Sequence, residues 1–189
     1  MELAADTTLV VVLVIVVVVI IAIALMAALQ QQRRRRLHGR FGSEYDQTVE
    51  QAGGRRAGER ELRDRVERHD ELQLRPLDPD QSRRFRSEWE QVQAEFVDRP
   101  EHAAAEADEL VEELLKQRGY PVREFEESSS LVSVDHPELV SNYREAHRIT
   151  VETGRGRANT EQLRRALVAY RSLFDELLAD ATPQSGNGS

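Results

Sequence analysis

The run LVVVLVIVVVVIIAIALMAAL, Leu9 to Leu29, holds no polar or charged side chain over 21 residues and is followed almost at once by Arg33, Arg34, Arg35 and Arg36. As a helix rising about 1.5 Å per residue it measures roughly 31 Å, matching a hydrocarbon core of about 30 Å. Sixteen of the 21 residues are Val, Ile or Leu, and at about −0.3 to −0.6 kcal/mol each they favour insertion by roughly 5 to 10 kcal/mol. A cleaved signal peptide is the competing reading, because Ala22, Ala24, Ala27 and Ala28 put small residues near the end of the run. Such a leader carries positive charge before a shorter apolar stretch, whereas here Glu2 and Asp6 precede it and the nearby arginines follow. The expectation is one N-terminal transmembrane helix, single-pass in the cytoplasmic membrane, with the N-terminus outside and the C-terminal domain in the cytoplasm. Arg33, Arg34, Arg35, Arg36 and Arg40 then form the membrane-interface set, placed to meet anionic headgroups. A simple stop-transfer role for them predicts the same topology. Ala24 and Ala28 have small-xxx-small spacing, but alanine is too common in such helices to indicate dimerisation.

Outside that segment the chain is acidic. Of 26 basic and 34 acidic residues in all, setting aside Glu2, Asp6 and Arg33 to Arg36 leaves 22 against 32, a charge near −10. A field of that sign repels phosphate backbones, so no nucleic acid is expected as a partner. There is no cysteine, which excludes disulfides, thiolate metal sites and cysteine nucleophiles together. About 150 residues remain for one compact domain with a modest core.

The domain reads as all-α. Residues 33–43 are taken as a basic linker, with Ser43 and Asp46 resembling a helix-starting cap. Residues 44–75 read as a charged juxtamembrane stalk helix weakened by Gly53, Gly54 and Gly58. Glu59/Arg63, Glu61/Arg65 and Asp64/Arg68 are spaced for i,i+4 pairing, and Leu62, Val66 and Leu72 form only a narrow apolar seam. Residues 76–180 read as a small antiparallel helical bundle. Phe85, Trp89, Val92 and Phe96 share one helical stripe after Pro79. Ala103, Ala107, Leu110, Val111 and Leu114 share another between Pro100 and Gly119. Residues 122–134 predict a short helix around Phe125 and a serine-rich loop at Ser128 to Ser130. Asp135 with Glu138 reads as a capping box, Thr160 as the last cap, and Leu163, Leu167, Tyr170, Phe174 and Leu177 as the cleanest periodicity. From Thr182 onward the chain holds no apolar residue, and the tail at residues 181–189 is expected to be disordered.

No catalytic, cofactor or metal residue is assigned, and no cofactor is expected. His102, Glu106, Glu109 and Glu113 fall on one helical face, but opposite the apolar one, which reads as a solvated stripe. Inward-facing bundle metal sites instead place Glu and His at i,i+3, and no Glu-x-x-His occurs. Ser128 to Ser130 lack an elbow motif, and the glycines match no phosphate loop.

Several phrases taken together, Phe41-Gly42-Ser43-Glu44-Tyr45-Asp46, Leu74-Arg75-Pro76-Leu77, Arg118-Gly119-Tyr120-Pro121, Ser133-Val134-Asp135-His136-Pro137 and Tyr170-Arg171-Ser172-Leu173-Phe174, resemble an uncharacterised family. Its members are small, single-pass, membrane-anchored helical proteins of GC-rich Gram-positive bacteria. The resemblance covers most of Phe41 to Leu178 and implies a bacterial cytoplasmic-membrane protein, with no activity or site to carry over. The first functional expectation is therefore a membrane-tethered cytoplasmic interaction or scaffold module, not an enzyme, that binds an unknown cytoplasmic protein or itself. One alternative is a small-molecule-sensing or enzymatic helical domain with a pocket near Tyr143, His147 and Tyr170. Another is an extracytoplasmic anchored domain.

Overall fold

The computed structural model describes residues 2–180, without the side chains of residues 2–17, 19 and 33. Among the described residues there are eight helices and no strand, which makes the protein all-α. They are α1 Glu2–Phe41, α2 Ser43–Gln51, α3 Arg55–Asp70, α4 Pro79–Glu95, α5 Pro100–Arg118, α6 Phe125–Asp135, α7 Pro137–Thr153 and α8 Thr160–Asp180. The chain forms two compact units, Met1–Arg40 and Phe41–Ser189. The expected tail at 181–189 lies outside the described residues, as do the side chains of Leu9 to Val17 and Val19 in the expected span.

Helix α1 does not stop at the arginines, so the basic linker expected at 33–43 is helical through Phe41. Glutamine and arginine are good helix formers, and Gly39 alone does not offset them. The break comes at Gly42, whose φ of 51° is left-handed. That glycine, not Ser43, is the N-cap of α2, and no side chain caps the helix there.

The second unit is a helical bundle. Its core is built where α8 packs on α7 and α5; α4 covers α5, and α6 joins α7 to α3. Asp78 caps α4 through a complete capping box with Gln81, with Pro79 in the first turn. The stripe then buries Phe85, Trp89 and Val92, and Trp89 stacks on Phe174 of α8 with ring centroids 4.8 Å apart. At the end of α5, Gly119 takes a left-handed φ of 99°, so the Tyr120 and Gly119 amides close back on Leu115 and Lys116. A Cβ at Gly119 would lie 2.6 Å from the Gln73 carbonyl oxygen, because the strap entering α4 crosses this helix end, with the Arg75 amide bonded to the Arg118 carbonyl.

Three local expectations are corrected. The stalk of residues 44–75 is two helices folded into the bundle, α2 packing on α3 and α7, and α3 on α6. Its buried seam is Gly58, Leu62, Arg65 and His69, a helical i, i+4, i+7, i+11 pattern half made of polar residues. The serine-rich loop is part of α6, with Ser128, Ser129 and Ser133 buried; serine is small enough to let neighbouring helices approach. Finally, Asn159 rather than Thr160 caps α8, exchanging hydrogen bonds with Gln162 at 2.9 Å in both directions.

Candidate functional site

Two features carry chemistry beyond ordinary packing: the surface of α1, and a set of charged groups within the bundle. Along α1, Val18, Ile20, Ile21, Ile23, Leu25, Met26 and Leu29 are each 53 to 61 % exposed, and Ala22, Ala24, Ala27 and Ala28 are exposed between them. At about 100° per residue these exposed positions go fully round the helix. Arg34, Arg35, Arg36 and Arg40 follow, all exposed. Among the described residues no helix is long and apolar enough to cross a membrane; nine residues at the start of the expected span, and Val19, are outside that description.

Within the bundle the Glu44 carboxylate is 2 % exposed and holds two arginines from different helices. Arg65 Nη1 of α3 donates to Oε1 at 2.7 Å, and Arg144 of α7 donates to Oε2 at 2.8 Å and Oε1 at 3.0 Å. Arg65 also reaches Ser133 of α6 at 2.9 Å and Glu61 at 2.7 Å. One buried anion thus ties four helices, since each charge has its partner in the low-dielectric interior. Beside it Asp135 accepts from Tyr120 Oη at 2.7 Å and contacts His69 Nε2 at 2.7 Å. This corrects the expectation that Asp135 caps α7: the N-cap is His136, without a side-chain cap bond. Burial, then the Asp135 carboxylate, pushes the Tyr120 phenol far above its ordinary range.

Tyr143, His147 and Tyr170 do come close, but as packed groups. His147 Nδ1 meets Asp108 at 2.8 Å and its ring stacks on Phe125 at 3.7 Å. Tyr143 and Tyr170 are 2 % and 0 % exposed and meet edge to face, and Tyr170 Oη shares a hydrogen bond with Thr150 at 3.0 Å. Both phenols are pushed up strongly, by burial first and then by the Asp108 carboxylate.

The His102 stripe gains a member that its own helix does not supply. Glu95, the last residue of α4, sets Oε1 2.9 Å from His102 Nδ1, and Glu106 Oε1 lies 3.5 Å from the same nitrogen. Helical spacing reveals His102 and Glu106 as neighbours, but Glu95 arrives across the α4–α5 corner, which no periodicity encodes. Glu109 and Glu113 stay exposed further along, Glu113 bonded to Arg84 at 2.8 Å.

No family model, curated protein or solved structure matches the chain.

Proposed function

We propose that the protein is a membrane-tethered helical interaction module without catalytic activity, anchored through Leu9 to Leu29 and presenting its acidic bundle to a protein partner or to a second copy on the cytoplasmic side. The observation that carries this reading is the apolar surface of α1, exposed on every side from Ile20 to Leu29. A contiguous apolar surface of that kind is costly in water and favourable in lipid. The arginines that follow it, with none before it, orient the chain with the bundle inside. Anionic headgroups at Arg33 to Arg36 and Arg40 strengthen the same arrangement. The bundle supports a binding rather than a chemical role because its charged groups, Glu44, Arg65 and Arg144, tie helices to one another.

The absence of native cysteine makes the test clean. Single cysteines are placed at Thr7 and at the exposed Arg155 of the full chain in bacterial spheroplasts, and labelled with a membrane-impermeant maleimide. Labelling at position 7 alone is expected, together with retention of the chain in the membrane through an alkaline carbonate wash. Labelling at 155 alone would invert the orientation, and release by the wash would remove the anchor.

A further inference from the structure

Glu95, His102 and Glu106 bring one imidazole nitrogen and two carboxylate oxygens within 4.8 Å of one another. From this geometry we infer a binding site for one divalent first-row transition-metal ion, of the zinc, cobalt or nickel class, at the corner where α4 meets α5.

Three points carry it. The first is distance: ligands about 2.0 to 2.1 Å from a zinc-like ion in tetrahedral geometry stand about 3.4 Å apart. The two measured edges, 2.9 Å from His102 Nδ1 to Glu95 Oε1 and 3.5 Å to Glu106 Oε1, bracket that value. The second is donor chemistry. An imidazole among carboxylates selects zinc-like ions over magnesium and calcium, which take oxygen ligands. The third is a carboxylate oxygen left open to a ligand: Glu95 Oε1 is buried and, though within ion-pair distance of His102 and Arg99, has no hydrogen bond among the described residues.

The site is positioned by the fold. Glu95 closes the last turn of α4, Pro100 starts α5 after a short link, and His102 and Glu106 stand at i and i+4 on it. Besides His102, Arg99 forms an ion pair with Glu95. It is 65 % exposed, so it can swing into solvent when an ion binds. Three protein ligands leave at least one position for water, in the manner of an open site.

The test uses the full chain in detergent, without a polyhistidine tag, titrated with Co²⁺ and then with Zn²⁺. A visible ligand-field band that saturates at one ion per chain and is displaced by Zn²⁺ is expected. His102→Ala and Glu106→Gln should each weaken Co²⁺ binding by about tenfold or more, while Glu109→Gln and Glu113→Gln leave it unchanged. His102 and Glu106 are not core residues, and equal helical circular dichroism will verify that the variants fold. Absence of saturable binding overturns the proposal. So does binding that His102→Ala leaves within about twofold, because the ion would then sit in the acidic groove between α4 and α5 rather than on the imidazole.

Discussion

Glu44 shows how much one side chain can decide. Its one carboxylate accepts from two guanidinium groups that lie 21 and 100 residues further along the chain, on two other helices. Burying an ion pair contributes little net stability against a well-packed apolar alternative, but breaking one strands a charge in the interior. Glu44→Gln should therefore cost about 3 to 5 kcal/mol, read from chemical denaturation followed by circular dichroism. Glu61 also bonds Arg65, yet its side chain is 48 % exposed. Glu61→Gln should cost no more than about 1 kcal/mol. Equal losses for the two would show that Glu44 is hydrated and that the network does not hold α2 and α3 in place. From the sequence the Glu61/Arg65 pair was legible through its i,i+4 spacing. Glu44 and Arg144 were not, because long-range partners leave no local period. The same holds for Glu95 at the α4–α5 corner and for Asp135, whose capping pattern was present while its carboxylate was engaged elsewhere.

At the level of elements, helices with a purely apolar inner face were readable and those with a mixed one were not. Phe85, Trp89 and Val92 in α4, and Leu163, Tyr170, Phe174 and Leu177 in α8, lie buried as their spacing predicts, with Leu167 only partly covered. In α3 the inner face is Gly58, Leu62, Arg65 and His69, so its apolar recurrence alone reads as an exposed stalk. In α6 the buried serines imitate a loop composition. Gly58 also reverses an ordinary propensity argument. Replacing a mid-helix glycine with alanine usually stabilises by roughly 0.5 to 1 kcal/mol. Here the new Cβ would stand 2.7 Å from the Val49 Cα, which is backbone of α2 and cannot turn aside. Gly58→Ala should destabilise by about 1 to 3 kcal/mol, measured as a lowered denaturation midpoint. A raised midpoint would mean that α2 and α3 are not in close contact.

For the molecule as a whole, the buried phenols set its response to alkali. Tyr120, Tyr143 and Tyr170 are all held neutral beyond the usual tyrosine range, by burial foremost. In the unfolded chain each ionises near pH 10. Above that pH the unfolded state binds fewer protons than the folded one, so stability present in full below about pH 10 declines as pH rises. The decline approaches about 1.4 kcal/mol per pH unit for each phenol, and Tyr143→Phe should remove about one third of it. Denaturation midpoints between pH 8 and about pH 11.5 will test this; a flat profile would mean that water reaches the three hydroxyls. Followed by intrinsic fluorescence, such an experiment reads chiefly through Trp89, the one indole in the chain, stacked on Phe174 where α4 meets α8. Its emission is a local gauge of that joint and is blind to α2 and α3. A spectroscopist who follows fluorescence alone therefore watches one hinge of the building and learns nothing of the door at its far end.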